Sequence, residues 1–220
     1  MPELAAVIWD MDGVLADTAR YHFLAWEETF ARRGIEFTDE DFKRGFGIKN
    51  DNIIKNVLGE KTTQAEIETI AREKEATFRR IIGRDIKPIP GAIELLGQLH
   101  SRGIRMAIAS STVAENIRLI VSRLGIANYF EAVITGHDVT EGKPSPQVFL
   151  LAAQRLGVEP KNCLVFEDAV AGVKAALSAG MHCVAITSSH PRAMLAEADL
   201  VVDTLEGVTV EDLQRLARSP

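Results

Sequence analysis

The chain has 220 residues, enough for one α/β domain with an insertion or for two small domains. It is 46% hydrophobic and 25% charged with a formal net charge of -6, an ordinary globular composition whose sign argues against a nucleic-acid-binding face. No apolar stretch reaches the length of a bilayer span, and the amino terminus lacks the basic and apolar regions of a secretory signal. The expectation is a cytoplasmic protein, a monomer or small homo-oligomer, with neither a nucleic-acid nor a membrane partner.

In chain order, the first element is the apolar run Leu4–Trp9, which suits a strand buried on both faces of a parallel sheet. It leads into Asp10-Met11-Asp12-Gly13. From about Asp17 to Lys87 no strand pattern occurs. Helical patterns cover roughly Ala19–Arg33, Asp39–Gly45, Asn50–Leu58 and Thr63–Ile82. Phe23, Trp26 and Phe30 form an apolar stripe at helical spacing. This stretch predicts an all-helical domain inserted after the first strand, bordered by Asp12–Asp17 and by Lys87-Pro88-Ile89-Pro90-Gly91. Strand-like runs then resume at Ile104–Ala109, Ala132–Thr135, Cys163–Phe166, Cys183–Ile186 and Leu200–Val202. Between them lie helical patterns at about Ala92–Arg102 and Val113–Leu124, and others ending at Gly157 and Gly180. Such alternation predicts a doubly wound, Rossmann-like parallel-sheet core over residues 1–16 and 88–220, with a helical cap over 17–87. Cys163 and Cys183 have no metal or disulfide spacing and read as buried small hydrophobes.

Ligands of open α/β sheets bind beyond the carboxyl ends of the strands, so the polar groups following each run are the candidates. Asp10 and Asp12 stand at i and i+2 and can converge on one reaction centre. Two close carboxylates repel unless a cation or a shared proton relieves them. A divalent metal would let one act as nucleophile while the other carries a proton. Asp-x-Asp-Gly alone is equally compatible with a simple turn. Ser110, Ser111 and Thr112 follow the second run at a helix start, suited to a phosphate or to a plain N-cap. Lys143 precedes Pro144 in a turn and can point inward as a fixed cation; taken alone it is a surface charge. Glu167-Asp168 is a second acidic pair, or an N-cap. Collected at one sheet edge, the carboxylates make a hard oxygen site suited to Mg²⁺, and the lysine, hydroxyls and amides a phosphate site. Neither a Walker loop nor a GxGxxG motif is present.

With these residues in place, the sequence resembles the haloacid dehalogenase superfamily over nearly its whole length. Asp10-Met11-Asp12-Gly13, Ser110, Lys143-Pro144 and Glu167-Asp168 with Ala171-Gly172 are similar, in order, to its four motifs, and the helical insertion to its C1 cap. More narrowly the chain resembles β-phosphoglucomutase and its sugar-phosphate phosphatase relatives, through Asp17-Thr18-Ala19-Arg20-Tyr21-His22, Ala25-Trp26, Gly142–Pro146 and Phe166–Gly172. The resemblance implies that Asp10 becomes an aspartyl phosphate and that Asp12 is the general acid and base. It implies that Mg²⁺ is held by Asp10, the Asp12 backbone carbonyl and Asp168, with Glu167 a direct or outer partner. Lys143, Ser110 and Ser111 would hold phosphoryl oxygens. Among cap residues it points to His22 and Trp26, and to Gly47, Lys49, Asn50 and Lys74 as substrate contacts.

The chain departs from the mutase pattern at three cationic positions, one of them Phe46, where that pattern has a basic residue. Asn50 stands where that pattern has Arg, with Lys49 adjacent, and Val113-Ala114 where it has Lys-Asn. Lys49 and Lys74 remain as cations for a distal phosphate. The expected function is therefore a Mg²⁺-dependent phosphatase of a small phosphorylated metabolite, a sugar phosphate foremost. A β-phosphoglucomutase-type mutase is the alternative. A non-catalytic binding relative has no need for both Asp10 and Asp12, a receiver-type domain lacks a helical insertion after strand one, and dehalogenation has no use for Asp12.

Overall fold

The computed structural model describes residues 4–83 and 86–218. Six parallel strands form one sheet in the order β3-β2-β1-β4-β5-β6: β1 (Ala6–Trp9), β2 (Arg105–Ala109), β3 (Ala132–Ile134), β4 (Cys163–Glu167), β5 (His182–Ile186) and β6 (Leu200–Val202). All six lie within one or two residues of the predicted runs. Side-chain alternation divides the apolar residues between the two faces. Val7, Trp9, Leu164 and Phe166 face one core with α5 (Ala92–Ser101), α6 (Ala114–Leu124) and α9 (Val210–Leu216). Ala6, Ile8, Cys163 and Val165 face the other with α7 (Gln147–Leu156) and α8 (Val170–Ser178). Burial on both sides is why the strands read as continuous apolar runs. Cys163 and Cys183 are free and buried in this second core, as expected.

The sequence pattern did not single out α9. Its start is a capping box in which Thr209 accepts from the Asp212 amide and the Asp212 side chain accepts from the Thr209 amide.

Between β1 and α5 lie α1 (Ala19–Ala31), α2 (Asp39–Gly45), α3 (Asn50–Leu58) and α4 (Gln64–Ile81), the helical cap. They enclose a separate apolar cluster of Trp26, Phe30, Phe37, Ile53, Ile54, Ile67 and Ile70. The Trp26 and Phe30 rings stack at 5.3 Å, so the stripe foreseen on α1 faces this cluster. The two connections to the core run side by side. The Asp17 amide donates to the Lys87 carbonyl at 2.9 Å and the Ile89 amide to the Leu15 carbonyl at 3.2 Å. No described helix is long and apolar enough to cross a membrane.

Strand order reverses at β1 and β4: the chain adds β2 and β3 on one side and β4, β5 and β6 on the other. A crevice opens at such a switch point, where ligands of doubly wound sheets bind. Trp9 pairs with Phe166 in register, so Asp10 and Glu167 leave neighbouring strand ends side by side.

Candidate active site

Asp10 is 4% exposed and Lys143 2%, and Lys143 Nζ donates to Asp10 Oδ1 at 2.8 Å. The same ammonium donates to Glu167 Oε1 and lies 5.0 Å from the Phe149 ring centre. Glu167 Oε2 accepts from the amides of Asp168 and Ala169 at 2.9 and 3.0 Å, which fixes its aim. Gly172 makes room for this carboxylate, since a Cβ there would stand 1.9 Å from the Glu167 carboxyl carbon. Gly13 plays the same part for Asp168, whose Oδ2 would lie 1.9 Å from a Cβ, and its φ of +77° favours glycine independently. These contacts explain the glycines of Asp10-Met11-Asp12-Gly13 and of Glu167–Gly172.

Asp10, Glu167 and Asp168 offer oxygens within 4.8 Å of one another, all buried. Burial, with Glu167 and Asp12 nearby, pushes the Asp10 carboxyl up to about 7 even against Lys143. Burial and then Glu167 and Asp10 push Asp168 well above the usual carboxylate range. Lys143 loses by burial but gains more from Asp10 and Glu167, so its ammonium is held above its ordinary value. One cation thus faces three carboxylates. Asp168 Oδ1 is also buried with no hydrogen-bond partner, although Oδ2 accepts from Ser189. An unpartnered carboxylate oxygen beside surplus negative charge fits a hard divalent cation such as Mg²⁺.

The Asp12 side chain belongs to a different environment. It accepts from Thr18 Oγ1 at 2.6 Å and Thr112 Oγ1 at 2.6 Å, and its Oδ1 lies 3.0 Å from His22 Nε2. Burial opposes ionisation, but the His22 ring and the two hydroxyls outweigh it and hold Asp12 below the usual carboxylate range. His22 comes from α1 and stacks on Phe78 of α4 at 4.0 Å. Lys74 Nζ lies 2.8 Å from His22 Nδ1 and pairs with Glu75 at 2.9 Å.

The remaining candidates divide. Ser110 is 2% exposed and lines the cavity shared by Asp10, Asp12, His22, Trp26, Gly47, Asn50 and Lys74. Ser111 donates instead to the Gly47 carbonyl at 3.0 Å, tying core to cap. Lys49 Nζ donates to the Val139 carbonyl at 3.2 Å and Asn50 Nδ2 to Glu75 at 2.8 Å. Lys74, expected as a cation for a distal phosphate, is instead 2% exposed and committed to Glu75 and His22. A second cavity of about 450 Å³ adjoins the first along Asn50 and Ser111 and is lined also by Arg72, Glu75, Arg79, Val113 and His137.

Sequence reasoning passed over several participants. In sequence Thr112 stands with Ser110 and Ser111 as a phosphate or N-cap group and Thr18 only within a family-like stretch; both bond Asp12. Ser188, Ser189 and His190 follow β5 by the strand-end rule used elsewhere. Ser188 lies 3.4 Å from Asp168 Oδ2, and the His190 ring contacts the Asp168 carbonyl at 3.1 Å. Glu75 and Asn116 gave no sequence signal.

Comparison with known proteins agrees with this geometry. Residues 7–186 match the haloacid dehalogenase-like hydrolase family. The chain is 36% identical over 216 residues to β-phosphoglucomutase of Bacillus subtilis, covering 94% of this chain and 93% of that protein. It is 32% identical to the fructose-1-phosphate phosphatase YqaB of Escherichia coli, over 82% of this chain and 95% of the relative. The crystal structure of β-phosphoglucomutase from Clostridium difficile superposes with a TM-score of 0.89 at 29% identity, over 97% of each chain. A Rossmann-like sheet, a helical cap after the first strand and the whole-length likeness to phosphatases and a phosphomutase make the chain an enzyme of the haloacid dehalogenase-like hydrolase family, β-phosphoglucomutase-like branch.

Proposed function

We propose that the protein is a Mg²⁺-dependent phosphoric monoester hydrolase that cleaves a small phosphorylated metabolite, a sugar phosphate foremost, through an aspartyl phosphate on Asp10. The carrying observation is the divergence of two carboxylates from one strand end. Asp10 faces Lys143 and the acidic cluster, whereas Asp12 faces the proton donors Thr18, His22 and Thr112. Paired carboxylates in opposite environments are suited to opposite roles.

In this reading, an Asp10 carboxylate oxygen attacks phosphorus while the ester oxygen leaves with the proton of Asp12. The phosphate dianion, arriving beside Asp10, raises the proton affinity of Asp12 for that step. Water then attacks the aspartyl phosphate and returns a proton to Asp12. Lys143 and the Ser110–Ser111 turn hold the phosphoryl oxygens. Asp10, Glu167, Asp168 and the Asp12 backbone carbonyl would hold the metal. Once bound, Mg²⁺ supplies the positive charge that lets an anionic nucleophile approach an anionic phosphate. Residues 17–87 are assigned as the cap and 1–16 with 88–220 as the core. The cavity of about 450 Å³ between them suits a leaving group of monosaccharide size.

The mutase reading draws on the likeness to β-phosphoglucomutase. It needs a cationic grip on a second phosphate, and here the cavity's cations are mostly engaged. Lys49 bonds Val139 and Arg79 NH1 donates to Asn116 at 3.0 Å. Arg72 alone among the arginines and lysines lining it has no hydrogen bond or ion pair among the described residues. Charge-assisted bonds contribute about 1.5–3 kcal/mol, so one missing clamp weakens bisphosphate binding roughly 10–100-fold. Hydrolysis should therefore dominate. The test is phosphate release from a panel of sugar phosphates with Mg²⁺, beside β-glucose 1-phosphate with catalytic glucose 1,6-bisphosphate assayed for glucose 6-phosphate. Isomerisation outpacing phosphate release would promote the mutase reading; inertness toward every monoester would remove the phosphatase reading.

A further inference from the structure

Asp12 ends a buried polar chain that runs out of the phosphate site and into the cap. An ammonium has only donors to offer. With Lys74 Nζ at 2.8 Å, His22 Nδ1 therefore accepts, Nε2 carries the ring proton, and the 3.0 Å contact to Asp12 Oδ1 is a donation. Lys74 is 2% exposed, and its ion-pair partner among the described residues is Glu75, itself 5% exposed. The Trp26 and Phe78 ring faces, 5.2 and 5.5 Å from Nζ, add attraction without replacing a counter-charge. Glu75 is anchored from two sides. Asn50 Nδ2 of α3 donates to Oε1 at 2.8 Å, and Asn116 Nδ2 of α6 donates to Oε2 at 2.5 Å. Asn116 is fully buried in the α/β core, and its Oδ1 accepts from Arg79 at 3.0 Å.

We infer that Glu75 is a positioning residue for Asp12: held to the core by Asn116, it fixes the Lys74 ammonium, which fixes the tautomer and aim of His22. This rests on the reading of Asp12 as proton carrier. Because the Glu75–Asn116 bond joins cap to core, the alignment exists only with the cap seated. Without the carboxylate, Lys74 would be a buried charge lacking a counter-ion, a costly state relieved by losing its proton or drawing in water. A neutral amine both donates and accepts, so His22 would no longer be held to one tautomer.

The test compares Glu75→Gln, Glu75→Asp and Asp12→Asn on a sugar phosphate and on 2,4-dinitrophenyl phosphate, whose leaving group needs no proton, each read by rapid quench as phosphoenzyme formation because the later water attack uses Asp12 for both substrates. It adds ¹⁵N-imidazole spectra of the protein at mildly alkaline pH, with the His22 signal identified by its loss in His22→Asn. For Glu75→Gln, the rate of phosphoenzyme formation from saturating sugar phosphate should fall roughly 10–100-fold, a fraction of the about 10²–10⁴-fold that acid–base catalysis contributes. KM should change little, the aryl phosphate should lose far less, and Glu75→Asp should recover part of the loss. His22 should be the Nε2–H tautomer in the native protein and a mixture in Glu75→Gln. Equal losses on both substrates, or an unchanged His22 tautomer, would overturn the inference. If Asp12→Asn discriminates between the leaving groups and Glu75→Gln does not, the inference alone falls. If Asp12→Asn loses equally on both, the proton-carrier reading falls and the inference with it. Should Glu75→Gln be unstable, Asn116→Leu keeps the Lys74–Glu75 pair while removing its anchor. It should show the same selectivity in weaker form, and an unselective loss would count against the inference.

Discussion

Asp10 and Asp12 leave the same strand end and enter two regions built on opposite principles. Around Asp10 the core gathers three carboxylates and one ammonium, and leaves Asp168 Oδ1 unpartnered. Around Asp12 each carboxylate oxygen has a donor, and the chain continues through His22, Lys74 and Glu75 to Asn50 and Asn116. The first region is electrostatically incomplete; its carboxylates lie at or just past strand ends, and a cation would finish it. The second is complete, but its members come from both sides of the cap–core junction. A buried polar network that is fully satisfied specifies one arrangement, whereas an unsatisfied group marks where something is to bind. On the proposed reading, ligand capture falls to the carboxylates at the strand ends, and proton handling to Asp12 and the network it shares with the cap.

The harshest way to break this division is at the nucleophile. Asp10→Asn keeps the shape and removes the nucleophilic charge, so turnover and acid-stable phosphoenzyme should both vanish while the circular dichroism spectrum stays native. Native-like turnover in protein shown by mass spectrometry to be undeamidated would dismiss Asp10 from that role. Next comes the proton carrier. Asp12→Ala should cost about 10²–10⁴-fold on sugar phosphates. An activated aryl phosphate should lose less in forming the phosphoenzyme, measured by rapid quench. A uniform loss would make Asp12 structural and merge the two regions into one.

The two regions also differ in how legible they are in sequence. Asp10, Asp12, Lys143, Glu167 and Asp168 could be located because strand runs have period two, and a parallel sheet brings the ends of those runs to one edge. The motif words then matched a known family. The cap side resists that logic. Nothing in Glu73-Lys74-Glu75 signals burial, yet Lys74 and Glu75 are buried, because α4 turns them toward α1 and α6. Helical periodicity says which residues share a face, not which helix that face meets. The bonds Lys74–His22 and Glu75–Asn116 span 52 and 41 residues. That distance is why Lys74 was read as a phosphate ligand, and why Glu75 and Asn116 were passed over. Asn50, a candidate substrate contact standing where the mutase pattern has Arg, has an amide already engaged with Glu75.

A gentler probe addresses the incompleteness of the Asp10 region. Activity should need Mg²⁺ and stop in excess chelator. Asp168→Ala, by deleting an oxygen ligand, should raise the Mg²⁺ concentration for half-maximal rate by at least the roughly 10–100-fold that loss of an outer-shell contact costs. The same substitution should leave the His22 imidazole signals unmoved, since among the described residues Asp168 bonds Ser188, Ser189 and His190 and no member of the cap network. An unaltered Mg²⁺ requirement would mean that the acidic cluster is not the metal site.

The smallest expected effect is on stability, and its sign separates the two regions. In metal-free protein the Asp10 carboxyl is pushed by burial from its ordinary 3.8 to about 7. Between those values the folded chain binds this proton more tightly than the unfolded chain, so stability rises as pH falls through the window. Asp12 and Glu75 are held low despite burial, by His22 and by Lys74 respectively, so what they contribute is complete above the carboxylate range and lost only below it. They drop out of the comparison at mildly acidic and mildly alkaline pH. In chelator, Tm by scanning calorimetry should therefore be a few degrees higher near pH ~5.5 than near pH ~8, at the few degrees per kcal/mol expected for this size. Saturating Mg²⁺ should raise Tm more at the alkaline end, where the carboxylates are ionised. Asp10→Asn should reduce the slope of the chelator profile, the remainder coming from Asp168, which burial also raises, and this separates the local effect from the overall charge of the chain. A Tm in chelator that falls from pH ~8 to ~5.5 would mean that the Asp10 region is not the electrostatic strain point assigned to it.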